Sequence, residues 1–394
     1  MLKKYRQAFA GNTAWRFSAA GFIARLPVSM VGIGILMYVE AERGSYTIAG
    51  AVSGSISIAG AIGGPVSSRL VDKLGQHRVL PFQIALILVC STALIILIPS
   101  DVPAPYLFIF SIGSGLAYPS IGALVRSRWT ALLSSGPILL TAFSIESMID
   151  ELIFIVGPTI AAFSSVKLHP AAPQILAMIF LSTGGLWLAS MRSTEPPINL
   201  NQAKHGKPVI FQNGLIYMWG VHVAIGLFFG AVETTIIAFT KLAGQPVYGG
   251  IVMALWAFGS LVGGFVYGGL HLKSPLHKQL IVVSLLLVPA TAAMIFVDSI
   301  SALALLAVAA GIGISPLLIA SAGITQRRSP DGRTTEAIAS MYAGISLGFA
   351  FAAAMAGWLI DNRGTNYSFA LGSLSTLITL AIVLIGRNKF SSKI

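Results

Sequence analysis

Residues 50–70 read GAVSGSISIAGAIGGPVSSRL, and residues 250–270 read GIVMALWAFGSLVGGFVYGGL. Shifted by 200 positions, the two stretches share six identities without a gap. The paired residues are Gly50, Val52, Gly63, Gly64, Val66 and Leu70 with Gly250, Val252, Gly263, Gly264, Val266 and Leu270. Each stretch is apolar and long enough to cross ~30 Å of hydrocarbon as a helix. The match therefore indicates that a membrane-spanning unit is duplicated in the chain.

Apolar runs of similar length recur along all 394 residues, of which 55% are hydrophobic and 10% charged. An ordinary soluble domain carries roughly 25% charged residues, so this composition excludes a typical soluble fold. The runs predict twelve spans, at 14–38, 46–70, 79–98, 105–127, 138–164, 171–191, 213–240, 246–270, 279–297, 300–323, 335–360 and 367–386. We expect an all-α integral membrane protein with twelve transmembrane helices in two pseudo-symmetric six-helix bundles.

A polar stretch separates the sixth span from the seventh. It contains Pro196, Pro197 and Asn201 and is too short to form a domain. Such a composition is typical of a linker. We therefore predict an N-terminal bundle at 1–192, a cytoplasmic linker at 193–210 and a C-terminal bundle at 211–394.

The basic residues lie mostly on one side of the predicted membrane. Outside the first span, only Arg43, Lys167, Lys241 and Arg363 lie on the other side. The positive-inside rule then places both termini in the cytoplasm, with the chain in the cell membrane. The net charge of +12 therefore reflects topology and does not indicate a nucleic-acid partner.

The segment at the cytoplasmic end of the second span, Gly64 to Val79, reads GPVSSRLVDKLGQHRV. This segment resembles the signature loop of the major facilitator superfamily, in which a small residue precedes Asp, a basic residue, Gly and a basic cluster. Asp72, Lys73, Gly75 and Arg78 match that pattern, and Gly64 lies before them within the second span. Gly75 would permit the positive φ of a tight turn.

The loop also departs from the family pattern. Ser68 stands where Gly is usual, and Gln76 and His77 stand where Arg is common. The resemblance implies a cytoplasmic gating loop in which Asp72 contacts the start of the eleventh span at 334–336. It also implies a transporter similar to the drug/metabolite:proton antiporter type.

Gly157-Pro158 in the fifth span looks like part of the superfamily's antiporter motif and would bend that helix. The fuller Gly-rich pattern of the motif is missing. The implication of efflux from this motif is therefore weakened.

Three acidic residues fall inside the fifth span, where an unpaired charge is costly and normally functional. Glu146, Asp150 and Gly157 lie within about 40° on one helical face, and Glu151 is rotated from Asp150 by about 100°. Two neighbouring carboxylates in a poorly solvated cavity cannot both ionise cheaply. The stripe therefore predicts a proton carrier, or alternatively structural partners for Arg126 or Arg128.

Two more spans carry an ionisable residue. Arg25 lies near the middle of the first span, where small and polar residues share its face, and would bind an anionic substrate group or neutralise Asp150. Glu233 lies in the seventh span, at the pseudo-symmetric place opposite the first. We predict that Glu233 is a second site for substrate or proton.

These residues predict a secondary active transporter, with proton-coupled efflux of a small amphiphilic or drug-like solute as the leading interpretation. Import of a nutrient or organic anion is the alternative, and a non-transporting sensor or structural protein is more remote. An enzyme is not expected, because the sequence has no HExxH, P-loop or clustered Cys and His. The single Cys90 predicts no Cys-based metal site. We expect no cofactor, protons and a small molecule as partners, and a monomer.

Overall fold

Twelve long apolar helices make up most of the chain that the structure describes, which is residues 14–133, 137–197, 209–212, 214–270, 274–330 and 334–391 of a computed structural model. Each of the twelve is long and apolar enough to cross a membrane. They are α1 (Ala14–Arg43), α2 (Tyr46–Leu74), α3 (Gln76–Leu97), α4 (Ala104–Ala117 and Ile121–Leu133), α5 (Pro137–Lys167), α6 (Ala172–Ser190), α7 (Leu215–Leu242), α8 (Val247–Gly269), α9 (Leu276–Ala293), α10 (Ile300–Arg328), α11 (Thr334–Arg363) and α12 (Thr365–Ser391).

The predicted fold is confirmed: all twelve expected spans are helices, and they form two six-helix bundles, α1–α6 and α7–α12. We call the membrane face where α6 ends and α7 begins the linker face, and the opposite face the distal face. The division at residues 192 and 210 stays a prediction. The linker residues 198–208 lie outside the part of the chain that the structure describes.

Polar residues and glycines define where the helices begin and end. Ser45 precedes α2 and accepts a hydrogen bond at its Oγ from the Ile48 amide, which satisfies one of the unpaired donors of a helix start. Gly75 separates α2 from α3 with φ of +87°, a conformation that side chains with a Cβ rarely adopt. The turn predicted for the signature loop is therefore present.

The fourth span differs from the continuous helix that we predicted at 105–127. Its helix ends at Ala117 and resumes at Ile121. Pro119 explains the interruption because it has no amide hydrogen and disfavours helical geometry at the residue before it. Tyr118 accordingly has extended backbone angles, φ of −65° and ψ of 119°.

The duplicated stretches make equivalent contacts within the two bundles. Gly63 of α2 packs against the Leu116 backbone of α4, and Gly263 of α8 packs against the Ile312 backbone of α10. In each case an added Cβ would overlap the carbonyl oxygen of the neighbouring helix. Close helix packing therefore accounts for this identity between the repeats.

A second repeated pair joins one bundle to the other near the distal face. Gly50 of α2 packs against the Ala353 backbone of α11. A Cβ at Gly250 of α8 would lie 2.6 Å from both the Ala162 Cβ and the Pro158 carbonyl oxygen of α5. The distal ends of the bundles are thus held together by two symmetry-related helix pairs, α2 with α11 and α8 with α5.

Candidate functional site

A network of four charged side chains lies in the core of the first bundle. Arg25 is 3% exposed and Glu146 is fully buried, and they form a salt bridge through Arg25 Nη2 and Glu146 Oε2. Arg25 Nη1 donates to Asp150 Oδ1 at 2.7 Å. Arg126 Nη2 donates to Asp150 Oδ2, also at 2.7 Å. Two guanidinium groups therefore balance two carboxylates.

Neutral donors complete the surroundings of the Glu146 carboxylate. Its Oε1 accepts hydrogen bonds from Ser18 Oγ at 2.6 Å and from Trp129 Nε1 at 2.9 Å. Arg25 Nε donates to the Gly21 carbonyl oxygen at 3.0 Å. Each of the buried charges is thus both paired and hydrogen-bonded, as burial in a low dielectric requires.

The network bears on both interpretations of the acidic stripe. Arg25 contacts Asp150, as the sequence analysis suggested, and Asp150 also contacts Arg126, the structural partner that we considered. Glu146 and Asp150 are joined through Arg25 instead of sharing a proton directly. Each carboxylate is therefore paired with at least one guanidinium group.

The network has one accessible edge. The side chains of Asp150 and Arg126 are 35% and 33% exposed, whereas Arg25 and Glu146 are closed off. An open groove of about 260 Å³ lies nearby, lined by Trp15, Ser18, Ala19, Phe22, Ile149 and Leu152. The groove shares Ser18 with the charge network, so it combines apolar walls with a polar neighbour.

Glu151 does not join the network. It is partly buried on α5, and no hydrogen bond or salt bridge links it to another described residue. This agrees with the rotation of about 100° that separates it from Asp150 on the helix.

Glu233 lies between the two bundles. It belongs to α7, yet a Cβ added to Gly32 of α1 would lie 3.6 Å from Glu233 Oε1 and 3.6 Å from Ser53 Oγ of α2. Ser53 donates its own hydroxyl hydrogen to the Gly32 carbonyl oxygen at 3.3 Å. Among the residues that the structure describes, Glu233 has no hydrogen bond or salt bridge. Its carboxyl group is therefore the unpaired acid at the contact between the bundles.

A salt bridge also joins α1 and α7 nearer the distal face. Lys241 Nζ of α7 contacts Glu40 Oε2 of α1. Glu233 is eight residues before Lys241, or about 12 Å along the helix. The unpaired carboxyl thus lies beneath the distal closure.

The structure places the gating-loop residues at the linker face. Gly64 packs beside Ser120, which lies in the break of α4, Gly75 forms the turn, and Lys73 and Arg78 are exposed. The Asp72 side chain and the side chains of residues 334–336 lie outside the described part of the chain. The predicted contact between Asp72 and the start of α11 therefore stays a prediction.

Two of the three departures from the signature loop, Gln76 and His77, have partners outside the loop. Gln76 Oε1 accepts a hydrogen bond from Arg128 Nε at 2.7 Å, and His77 Nδ1 lies 2.9 Å from Glu195 Oε2. Buried Arg128 also donates to the Leu188 and Met191 carbonyl oxygens and to Thr194 Oγ1. The loop after α2, the end of α4 and the end of α6 are thereby tied into one unit.

Gly157 and Pro158 serve two different contacts. A Cβ at Gly157 would overlap Ser29 Oγ of α1, whereas the Pro158 carbonyl oxygen faces Gly250 of the other bundle. α5 continues as a helix through both residues. The helix-bending role predicted for this pair stays a prediction.

Two polar residues at these sites were not found from the sequence. Trp129 and Glu195 make no recognisable motif, and their partners Glu146 and His77 are 17 and 118 positions away. Cap signals are present at Ser45 and Ser299, each of which immediately precedes a span and accepts a hydrogen bond from a backbone amide of the following helix. Within the described ranges, no group of His, Cys, Asp and Glu side chains is arranged to hold a metal ion.

The chain is similar to known proteins in two comparisons. A family model described as Major Facilitator Superfamily matches residues 17–303 and 250–393. The structure is similar to that of the nucleoside transporter NupG, with a TM-score of 0.73 and 13% identity over 97% of this chain and 100% of that one.

Two further solved structures share the fold. An auto-inhibited POT family peptide transporter gives a TM-score of 0.72 at 11% identity, covering 95% of this chain and 96% of that one. The human organic anion transporter MFSD10 (TETRAN) gives 0.64 at 13% identity, covering 94% and 100%. The TM-scores of these structures show a common fold. No curated protein matches the chain in sequence.

Proposed function

Because the chain belongs to the Major Facilitator Superfamily, we propose that it is a proton-coupled transporter that exports a small amphiphilic solute across the cell membrane by alternating access. The observation that carries the proposal is the unpaired Glu233 carboxyl between the bundles. In this proposal the linker face is cytoplasmic, both termini lie on that side, and the protein acts as a monomer.

Glu233 is the best proton carrier among the intramembrane acids. Glu146 and Asp150 are neutralised by Arg25 and Arg126, so a proton on either would break an existing salt bridge. Glu233 has no such partner among the described residues, and a charge without a partner inside the membrane is costly. Its position at the bundle contact would allow protonation to favour one arrangement of the bundles over the other.

The groove supports an amphiphilic solute. Trp15, Phe22, Ile149 and Leu152 supply apolar walls, and Asp150 and Arg126 supply partly exposed charges close by. It lies in the half of the membrane nearer the linker face, because α1 begins there at Ala14. With the distal ends closed, a solute would load from the linker face, which in this topology is the first step of export.

The same residues argue against Arg25 as an anchor for an organic anion. Its three guanidinium nitrogens already donate to Gly21, Asp150 and Glu146. A substrate anion would have to displace one of these acceptors. Import of an anion or nutrient remains the competing function, and the following experiment separates the two.

The experiment is proton flux in proteoliposomes that hold an imposed pH gradient and an interior pH dye. Cationic amphiphiles, sugars and organic anions are added in turn to wild type, Glu233→Gln and Glu151→Gln. Asp298→Asn, which changes an exposed acid in a distal loop, is the matched control. We expect a cationic amphiphile to collapse the gradient in wild type and control, and Glu233→Gln to fall to the rate of protein-free liposomes.

A second readout separates proton coupling from misfolding. Gln resembles a permanently protonated Glu, so Glu233→Gln should still exchange labelled solute when no gradient is imposed. If wild type moves solute without protons, or if Glu151→Gln and not Glu233→Gln loses the flux, the role of Glu233 is wrong. An organic anion that drives proton uptake would establish the import alternative.

A further inference from the structure

One carboxylate of the second bundle binds the start of a helix in the first. Asp361, in the last turn of α11, accepts hydrogen bonds at Oδ1 from the Tyr46 amide at 3.1 Å and at Oδ2 from the Thr47 amide at 2.8 Å. Thr47 Oγ1 and Ser45 Oγ donate to the same Oδ2 at 2.7 and 3.1 Å. Four donors from the start of α2 thus converge on one side chain.

These donors are the ones that a helix start leaves unpaired. The first amides of an α-helix have no acceptor within the helix, and the helix dipole adds partial positive charge there. Ser45 satisfies the Ile48 amide from within the same chain segment. The Tyr46 and Thr47 amides are instead satisfied from the opposite bundle, so this cap exists only while the distal ends of α2 and α11 are together.

A backbone contact beside Asp361 shows that these hydrogen bonds require α11 and α2 to lie very close together. A Cβ on Gly357, one turn before Asp361, would overlap the Tyr46 carbonyl oxygen. Gly357 therefore lets α11 lie directly against the start of α2, and Asp361 then reaches the α2 amides. Separation of the bundles would break all four hydrogen bonds together.

We propose that Asp361 is a positioning residue of the transport cycle, acting as a latch that holds the distal face closed by capping α2 from the other bundle. Asp361 is exposed, and three of its four hydrogen bonds lie at the protein surface, where water replaces a lost donor readily. The latch therefore biases the equilibrium between closed and open states and does not lock it.

The resemblance of the signature loop implies a counterpart of the latch at the other end of the same two helices. The signature loop predicts that Asp72, near the end of α2, caps the start of α11. Each of these antiparallel helices would then present a carboxylate to the start of the other, one at each membrane face. Rocking of the bundles would engage one cap while releasing the other, so the two would alternate.

Distance measurement between the bundles tests the latch directly. Spin labels are placed at Glu42→Cys on α1 and Leu242→Cys on α7, both exposed at the distal face, in a Cys90→Ser background reconstituted in liposomes. Asp361→Asn keeps the shape of the side chain and removes its charge. We expect the population with widely separated labels to rise about three- to tenfold, as the loss of charge-assisted caps implies.

Two further variants show whether the effect comes from this contact. Asp298→Asn removes a distal acid outside the latch and should leave the distances unchanged. Thr47→Val removes one hydrogen-bond donor to Asp361 and should open the distal face less than Asp361→Asn does. The double variant should open the distal face only slightly more than Asp361→Asn alone. This non-additivity is a signature that a general loss of stability would not produce.

The outcome that overturns the proposal is also defined. If Asp361→Asn lowers the melting temperature while the distances stay as in wild type, Asp361 is only a structural cap. An equal opening in Asp298→Asn would likewise contradict the latch. The measurement depends on alternating access and not on proton coupling, so its failure is distinguishable from a failure of the role proposed for Glu233.

Discussion

Replacing Arg25 with Met is expected to lower the free energy of unfolding by about 3–5 kcal/mol, the usual cost of leaving a buried charge without its partner. Glu146 is fully buried, and Ser18 and Trp129 would remain as its hydrogen-bond donors. Two neutral hydrogen-bond donors do not compensate for the loss of the positive charge of the guanidinium group. The Asp150 carboxylate would be destabilised less, because it keeps its salt bridge to Arg126 and is partly exposed.

A double-mutant cycle measures this effect. Unfolding of Arg25→Met, Glu146→Gln and the double variant is followed by intrinsic fluorescence in detergent micelles. We expect the double variant to recover much of the loss, because the substituted amide is neutral and its oxygen could still accept hydrogen bonds from Ser18 and Trp129. A double variant as unstable as Arg25→Met would contradict the assignment and would make packing of the Arg25 side chain the main contribution.

The double substitution Gly50→Ala with Gly250→Ala is expected to open the distal face. Each new Cβ would meet backbone of the opposite bundle, and overpacking of this kind costs about 1–3 kcal/mol per site. Because backbone cannot rotate away as a side chain can, the overlap is relieved by separating the bundles. Two such sites together cost about 2–6 kcal/mol, which shifts the equilibrium towards the open state by at least about 30-fold.

The spin-label pair at Glu42 and Leu242 reports this shift, and Gly268→Ala is the matched control because nothing lies within 4 Å of its added Cβ. Alanine favours a helix over glycine by about 1 kcal/mol, so local helix stability alone would strengthen α2 and α8. Opening in the double variant together with no change in Gly268→Ala therefore supports steric separation. Unchanged distances in both variants would show that the helices shift along each other to accommodate the added methyl groups and that the bundles do not separate.

The spans, the two bundles and the turn at Gly75 were predictable because they depend on local chemistry. A run of apolar residues must be helical in a membrane, since every backbone group needs a partner. The break after Ala117 was also encoded locally, at Pro119, but a proline inside a span does not always end the helix. Pro27, Pro81 and Pro158 lie within continuous helices.

The partners of the charged residues were only partly predictable. Spacing on α5 placed Glu146 and Asp150 on one face, and charge alone suggested Arg25 for Asp150. Spacing could not show that Glu146 binds Arg25 as well, because this depends on how α1 and α5 are rotated against each other. Contacts such as Asp361 with Thr47 join residues 314 positions apart and depend on the relative position of the two bundles.

The balanced charge network of the first bundle has an electrical consequence for transport. Arg25, Arg126, Glu146 and Asp150 together carry no net charge when ionised. Moving one net charge through the membrane potential costs about 2.3 kcal/mol per 100 mV. A group of residues with no net charge that moves as a unit does not incur this cost. Voltage would therefore act on the cycle through groups outside the network, such as Glu233, and through the charge of the solute itself.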